Sequence, residues 1–294
     1  METVIFLSTS GLQVIQGEVK HNNIKVHYFQ DYQFKEGTML DGVIMDDRPI
    51  KEALEHVKEH YIDKTRLVID SGQILVKCQQ MPKVSAREMQ KLVKDEFVDV
   101  VGQHEDLIYD YTVIADSIEG KEGQLVLCAA LERSFIEPYI QLFKEENIEL
   151  ETIDILTNSI IKLTASMPLL SNQSYILSMI NGQDVNHYMF IKGQYVITNR
   201  CRIFSDRGSV AFITEVSNSL TKLLQFARSN YKDDNITHIY FAGLDKFEED
   251  LLFSTISSNL SMKTTRFECP NCTSDSNNDF LAHKFLAVGS LWRR

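Results

Sequence analysis

Two cysteines separated by two residues are the clearest candidates for chemistry in this sequence. Cys269 and Cys272 form a Cys-x-x-Cys arrangement, which can hold a metal ion or act as a redox-active pair of thiols. A structural zinc site needs four ligands, and the sequence has no second Cys pair, so His238 or His283 would have to complete it through folding. We predict an inert polar loop without metal, with a metal centre and a redox pair as the alternatives.

The histidines and acidic clusters are weaker candidates. His56 and His60 have the i,i+4 spacing of one helix face, but no HExxH motif is present, so we interpret them as solvated surface. His187 lies in a predicted strand and is interpreted as packed or exposed rather than catalytic. No GxSxG, P-loop or GxGxxG motif occurs, and we nominate no catalytic residue. Helix-end or surface charge explains the acidic clusters Asp46-Asp47, Asp233-Asp234 and Glu248-Glu249-Asp250.

The composition restricts the class of partner. The chain of 294 residues carries a net charge of -11, which argues against nucleic acid or anionic lipid as the main ligand. No segment approaches the apolar length of a membrane span, and the first residues do not resemble a signal peptide. Five cysteines at irregular spacing fit a reduced compartment. We predict a cytoplasmic protein that reaches a membrane only through a partner.

A repeated arrangement of strands and turns must position any site. Three strands and a helix are predicted near the start of the chain, and the same plan recurs after residue 174. Asn181-Gly182 is a strong hairpin turn because both residues tolerate positive φ. The first copy comprises Thr3–Leu7, Gly11–Lys20, Ile24–Gln30 and the helix Pro49–Tyr61, and the second Tyr175–Ile180, Val185–Ile191, Tyr195–Cys201 and a helix over Gly208–Asn230. The repeat predicts an α/β fold of two related halves facing each other across a cleft.

An insertion interrupts the first half. Ser85 and Glu88 form a capping box, which predicts a helix running to about Val101 and closed by Gly102. Strands are expected at Leu107–Ala115 and Gln124–Leu131. We predict a first half over residues 1–166, with an inserted α+β subdomain at about 84–131, and a second half over 167–294. Near the end of the chain we expect a loop over 269–280 and a terminal helix over Phe280–Leu291.

The order of these features resembles the actin-like ATPase superfamily. Within it, the chain looks most like the PilM family of type IV pilus assembly proteins, which is similar to FtsA. Four stretches carry the resemblance: Gly42–Asp46, Met81–Val84 running into Glu88, Leu125–Ala130 with Tyr139 and Ile153-Asp154, and Phe285–Leu291. The resemblance implies an actin-like, ribonuclease H-like duplicated fold with two βββαβα-type halves and an inserted subdomain.

The resemblance also locates a nucleotide site. Members of the superfamily hold phosphates with two hairpins that each carry an Asp-x-Gly pattern, and the carboxylates position Mg²⁺. The first hairpin here has Ser8, Thr9 and Ser10, with no Asp or Gly before the turn, and the family's lysine falls at about Gln13.

The second hairpin departs from the pattern in the same way. It offers Ser178 or Met179 at the acidic position and Ile180 or Asn181 at the glycine position, while Asp184 stands where threonine is usual. Gly243 and Leu244 replace the Gly-Gly of the adenosine side. We therefore expect no cofactor and a pseudo-ATPase. ATP with Mg²⁺ remains possible, and would be cradled by Ser8, Thr9, Ser10, Asn181, Gly182, Gln183 and Gly243.

By the same resemblance, the partner would be the cytoplasmic N-terminal tail of a PilN-like membrane protein. The tail would lie as an extended peptide between the first-half core and the inserted subdomain. The residues predicted for that wall are Pro82, Arg87, Glu88, Leu92, Tyr109 and Tyr111.

Two alternatives remain open beside this interpretation. One is an active actin-like ATPase or sugar-kinase relative, which the missing Asp residues oppose. The other is self-association as an FtsA-like filament, which would need a C-terminal membrane helix. Only Trp292, Arg293 and Arg294 follow the predicted last helix, and three residues are too few to anchor a protein.

Overall fold

The computed structural model describes residues 1–21, 23–59, 64–101, 106–117, 122–269, 272–275 and 287–292. The chain divides into two compact units. One comprises Met1–Val4, Val14–Gln30 and Ser159–Arg294, and the other comprises Ile5–Gln13 and Asp31–Asn158. The division passes through the first three strands, so the predicted boundary after residue 166 stays a prediction.

Strands and helices alternate along the chain as expected for an α/β protein. The strands are β1 (Glu2–Ser8), β2 (Gly11–Lys20), β3 (Asn23–Gln33), β4 (Met39–Leu40), β5 (Val43–Ile44), β6 (Lys64–Ile69), β7 (Leu75–Met81), β8 (Leu107–Ala115), β9 (Gln124–Glu132), β10 (Glu149–Ile155), β11 (Tyr175–Asn181), β12 (Asp184–Ile191), β13 (Gln194–Arg202), β14 (His238–Ala242), β15 (Lys263–Arg266) and β16 (Cys272–Ser274). The helices are α1 (Arg48–Lys58), α2 (Ala86–Asp95), α3 (Val98–Val101), α4 (Arg133–Glu145), α5 (Leu156–Ala165), α6 (Val210–Asn230) and α7 (Lys246–Leu260), with 3-10 turns at Pro168–Leu170 and Val288–Leu291.

The two large sheets repeat one strand order. The six-stranded sheet runs β10-β6-β1-β2-β3-β16, and the five-stranded sheet runs β13-β12-β11-β14-β15. Each sheet contains a three-stranded meander, β1-β2-β3 in one and β11-β12-β13 in the other. Two later strands lie beside the first strand of each meander and pair with each other in parallel, β6 with β10 and β14 with β15. The duplication predicted from the sequence is therefore confirmed.

Apolar runs place the central strands and α6 in the core. Val4 to Leu7 of β1 are fully buried, as a continuous apolar strand requires. Ser209 caps α6, its Oγ accepting from the Phe212 N–H at 3.1 Å. The apolar stripe of α6 packs on β11 and β12 as predicted, except that Val210 is exposed because it is the first helical residue.

The inserted subdomain is a three-stranded sheet covered by α2. Its strand order is β7-β9-β8, so the sheet includes β7, which lies before the expected start of the insertion. The predicted capping box is confirmed: the Glu88 N–H donates to Ser85 Oγ at 3.4 Å, and the Ser85 N–H donates to Glu88 Oε2 at 3.1 Å. The single helix predicted to Val101 is wrong, because Phe97 turns into the core between α2 and α3. Gly102 lies outside the described residues.

Two predictions near the end of the chain need correction. Part of the expected loop over 269–280 is strand β16, which pairs in parallel with β3. The expected terminal helix is a 3-10 turn at Val288–Leu291, and residues 280–286 lie outside the described part. A Cβ at Gly289 would lie 1.8 Å from the Ser159 carbonyl oxygen, so this turn packs against backbone that only glycine can approach.

Candidate functional site

The turn between β1 and β2 contains the first predicted phosphate hairpin. Ser8 is buried, and its Oγ donates to the Gly11 carbonyl oxygen at 3.2 Å and lies 3.2 Å from Ser10 Oγ. The Ser10 carbonyl oxygen accepts from the Phe34 N–H at 3.0 Å. This hairpin carries hydroxyls and no carboxylate, and the buried Gln13 is a neutral amide that cannot neutralise phosphate charge.

The turn between β11 and β12 contains the second hairpin. Gly182 adopts the expected positive φ of 63°. Asp184 is buried between two arginines, with its carboxylate oxygens 3.7 Å from Arg200 and 3.8 Å from Arg202. Arg202 also donates to Gln183 Oε1 at 3.4 Å. The acidic group nearest this turn is therefore already paired with guanidinium groups of β13.

A buried histidine lies next to one predicted acidic position. Ser178 Oγ lies 2.8 Å from His187 Nδ1, and His187 Nε2 lies 2.7 Å from Ser219 Oγ. Ser219 donates its own proton to the Val216 carbonyl oxygen at 2.8 Å. His187 Nε2 must therefore carry the proton, and Nδ1 accepts from Ser178.

His187 is held neutral by its surroundings. Its exposed fraction is 0%, and burial lowers its pKa to about 3. A neutral imidazole bonded to two serines packs β12 against β11 and α6. Of the two roles expected from the sequence, packed or exposed, His187 has the packed one, and Ser178 is engaged inside the protein.

The glycine on the adenosine side is engaged by an arginine of the same chain. Gly243 has a φ of 83°, and a Cβ there would lie 1.9 Å from the Ile180 carbonyl oxygen. Arg207 donates to the Gly243 carbonyl oxygen at 2.8 Å and forms a bidentate ion pair with the buried Glu248 at 2.8 and 2.5 Å. Glu248 also closes the capping box of α7 with Asp245.

These residues do not fit ATP with Mg²⁺. Neither hairpin offers an available carboxylate, and Asp184 and Glu248 are both paired with arginine. Within the described ranges, no group of three or more His, Cys, Asp or Glu residues is arranged to hold a metal ion. Phosphoryl transfer relies on carboxylates that position Mg²⁺, and the two carboxylates named here are both occupied by arginine.

Three residues of the predicted peptide wall pack inside the inserted subdomain. Leu92, Tyr109 and Tyr111 are half-buried and pack against its hydrophobic core. Tyr109 also contacts Phe97, with ring centroids 6.2 Å apart. These side chains stabilise the α2–sheet interface, so most of their surface is committed to the subdomain itself.

The other three predicted wall residues are exposed. Glu88 serves the capping box of α2, Arg87 is a neighbouring surface residue of the same helix, and Pro82 follows β7. The Pro82 carbonyl oxygen accepts from Gln124 Nε2 at 3.5 Å. Pro82 and Arg87 thus remain available at the surface.

A pocket that residue-by-residue reasoning missed lies between β5 and α4. Its volume is about 370 Å³, and Ile44, Pro138 and Leu142 supply apolar lining. Met45 contributes to its edge with 62% of its surface exposed. The remaining lining residues are Asp46, Asp47, Gln141 and Glu145. The sequence did point to this region, because Gly42–Asp46 is one of the stretches that carry the family resemblance.

The rim of this pocket is acidic and ordered by ion pairs. Lys51 Nζ lies 2.7 Å from Asp47 and 2.9 Å from Glu145, linking α1 to α4. Hydrogen bonds from Arg48 lower the pKa of Asp46 to about 2, so that carboxylate is ionised near neutral pH. Three carboxylates around two cations leave net negative charge at a pocket whose lining is half polar and half apolar, a combination that suits a cationic, partly apolar peptide.

The hairpin of β4 and β5 that ends at this pocket is firmly anchored. The Gly72 N–H donates to Asp41 Oδ1 at 2.8 Å, and Ser71 Oγ donates to the Asp41 carbonyl oxygen at 2.6 Å. Tyr139 of α4 donates to the Gly42 carbonyl oxygen. The fixed hairpin nevertheless exposes 55% of Leu40, an apolar side chain beside the pocket strand.

Comparison with known proteins identifies the class of fold. No family model matches the sequence. No curated protein matches it either. A solved structure described as a protein with an actin-like ATPase fold and unknown function, from Bacteroides thetaiotaomicron, aligns over 99% of this chain and 95% of that one, with a TM-score of 0.54 and 12% identity. The chain therefore has the actin-like fold expected from the sequence.

Likeness to one group within that fold is stronger. The structure resembles a PilM–PilN type IV pilus biogenesis complex with a TM-score of 0.79, at 12% identity, over 99% of this chain and 97% of that chain. It also resembles the cytoplasmic domain of EpsL, an inner-membrane component of the type II secretion system of Vibrio cholerae. That TM-score is 0.51, at 10% identity, over 98% and 94% of the two chains. The resemblance to PilM stated from the sequence is thus confirmed at the level of fold.

Proposed function

We propose that this protein is a cytoplasmic scaffold of type IV pilus or related secretion machinery and binds the N-terminal tail of a PilN-like inner-membrane protein. The observation that carries the proposal is the full-length likeness to PilM, solved in a complex with PilN. The likeness to the EpsL domain supports the broader class of secretion component. None of the described helices is long and apolar enough to cross a membrane. In this proposal the protein is held at the inner membrane by its partner.

The pocket between β5 and α4 is the proposed anchor for one apolar side chain of the tail. Met45 exposes apolar surface at its edge, while Asp47 and Glu145 would attract Lys or Arg residues of the tail. An extended peptide can gain affinity from such an apolar anchor flanked by complementary charge. Pro82 and Arg87 remain candidates for the far wall of the groove.

The nucleotide site is proposed to be degenerate. Its support is the absence of carboxylates in the Ser8–Ser10 turn, the pairing of Asp184 with arginines and the engagement of Gly243 by Arg207. The alternative of an active ATPase or sugar-kinase-like enzyme has no supporting contact among these residues.

Calorimetric titration of a synthetic peptide tests the proposed anchor. The peptide is the N-terminal cytoplasmic segment of the PilN-like protein from the same genome, titrated into the full chain. Met45→Ser should weaken binding about tenfold, because burying one apolar side chain contributes about 1.5 kcal/mol and about 1.4 kcal/mol corresponds to a tenfold change in affinity.

A matched control separates the anchor from general surface effects. Ile140 is exposed on α4 and does not line the pocket, so Ile140→Ser should leave the affinity within about twofold of wild type. An equal loss in both variants, or no loss in Met45→Ser, would contradict the assignment of the pocket. No binding by the wild-type chain would contradict the proposed partner.

A further inference from the structure

The segment that follows α7 contributes an edge strand to each large sheet. Its first part, β15, is the outer strand of the five-stranded sheet, and its second part, β16, is the outer strand of the six-stranded sheet. Both cysteines of the Cys-x-x-Cys sequence lie on this segment, with Cys272 as the first residue of β16. We call the described residues 263–269 and 272–275 the strap.

The two cysteines are buried next to each other. Cys269 and Cys272 are 8% and 7% exposed, respectively. The Cys272 N–H donates to the Cys269 carbonyl oxygen at 3.0 Å, and the two thiols are hydrogen-bonded to each other. A backbone bond between residues i and i+3 keeps their Cα atoms within about 7 Å, close to the range of disulfide-linked residues. The two cysteines are therefore buried rather than in polar surroundings, while the inertness expected from the sequence stays a prediction.

We propose that Cys269 and Cys272 are a reversible oxidation site, whose intrachain disulfide forms at the expense of a low-molecular-weight disulfide such as oxidised glutathione and fixes the strap on β3. One cysteine thiolate attacks the glutathione disulfide, forming a mixed disulfide and releasing one glutathione thiolate. The other cysteine thiolate then attacks the protein sulfur of the mixed disulfide and releases the second glutathione. Two cysteine thiols are oxidised, two glutathione sulfurs are reduced, and the two cysteine protons end on the glutathione thiols.

Within the described residues, no third His, Cys, Asp or Glu is placed to complete a metal site with this pair. The hydrogen bond from Cys269 and burial raise the pKa of Cys272, so its reactive thiolate forms only when local opening exposes the pair to water. His238, one histidine considered as a further ligand, lies 2.7 Å from Thr265 and stacks on Tyr240. His283 lies outside the described residues.

Burial also means that β16 must open before the first attack. Within the described residues, Cys272–Ser274 pair with β3, and Thr273 Oγ1 donates to the Ile24 carbonyl oxygen at 3.3 Å. The Asp275 N–H donates to the Val26 carbonyl oxygen at 3.0 Å, and the Asp275 carboxylate lies 3.0 Å from Lys25 and 2.7 Å from His27. Pairing at the edge of a sheet opens locally more readily than the core, so opening sets the rate of oxidation.

Equilibration with glutathione redox buffers, followed by denaturation and maleimide labelling, measures the site. The chain has five cysteines, so reduced protein takes five labels and the proposed oxidised form takes three. Peptide mapping should place the bond between residues 269 and 272. Cys269→Ser should abolish the two-label loss, whereas Cys201→Ser, a half-buried cysteine on β13, should still lose two labels.

Kinetics and hydrogen exchange test the part played by the strap. Asp275→Ala removes the partners of Lys25 and His27 and should speed oxidation severalfold, while the disulfide should slow amide exchange in residues 267–275. Five labels in the most oxidising buffer, a glutathione adduct as the end product, or zinc retained by the reduced pair would overturn the proposal. An Asp275→Ala rate equal to that of wild type would overturn opening as the controlling step.

Discussion

At the scale of single residues, His187 shows how burial fixes a protonation state. Its two nitrogens are satisfied by Ser178 and Ser219, and burial lowers its pKa to about 3 from an ordinary value of 6.5. The unfolded chain binds a proton below pH 6.5 and the folded chain does not. The contribution of neutral His187 to the free energy of unfolding is therefore complete above pH 6.5 and is lost as the pH falls from 6.5 towards 3.

Replacing His187 with glutamine should reduce both stability and its pH dependence. We expect a loss of about 1–3 kcal/mol at pH 7.5, because buried hydroxyl partners lose their hydrogen bonds. Below pH 6.5 the unfolding free energy of the wild type should fall by up to about 1.4 kcal/mol per pH unit through this residue. The difference in unfolding free energy between wild type and variant should therefore become smaller. Urea unfolding at pH 7.5 and pH 4.5 measures both effects.

The exposed His56 supplies the control for that experiment. His56→Gln should change the unfolding free energy by less than about 0.5 kcal/mol at either pH. If the difference in unfolding free energy between wild type and His187→Gln is the same or larger at pH 4.5 than at pH 7.5, the assignment of a neutral, buried histidine is contradicted.

Residue-level pairing was the least predictable feature of the candidate site. The absence of the superfamily's carboxylates could be predicted from the sequence, because it depends only on which residues occupy the two hairpin turns. The sequence did not predict that Arg207 would engage Gly243 and Glu248, since Arg207 and Glu248 are 41 positions apart in sequence. Such contacts depend on the packing of α6 and α7, which local pattern does not specify.

At the scale of elements, local signals predicted most of the strands and helices. Period-two strands, tight turns and capping residues act over a few positions, so β8 has the bounds expected from sequence. Strand β16 was missed because three residues carry little propensity and its partner β3 is distant in sequence. The break between α2 and α3 was missed because burial of Phe97 overrides helix propensity.

Removing the cap of α2 should loosen the inserted subdomain. Ser85→Ala deletes the side chain that accepts from the Glu88 N–H and should cost about 1 kcal/mol. Hydrogen exchange in residues 86–95 should accelerate accordingly. Ser134→Ala is the matched control, because Ser134 at the start of α4 bonds Glu132 and does not cap the helix. Unchanged exchange in Ser85→Ala, or an equal change at α4 in the control, would contradict a stabilising role for the capping box.

At the scale of the whole molecule, the protein has an actin-like fold, and we propose that its nucleotide site is degenerate. Each large sheet carries one of the hairpins predicted to hold phosphate, and Ser8 and Asp184 of those hairpins bond within the chain. The net charge of -11 and the acidic pocket rim favour a cationic peptide over a polyanion. Added salt should therefore weaken peptide binding through screening.

Calorimetric titration of the PilN-like tail peptide, with and without ATP and Mg²⁺, tests whether the protein binds its partner independently of nucleotide. We predict saturable binding of the peptide, an unchanged affinity when millimolar ATP and Mg²⁺ are added, and no heat of binding for ATP alone. Peptide binding that appears only with ATP, or saturable ATP binding at micromolar concentration, would contradict a nucleotide-independent scaffold.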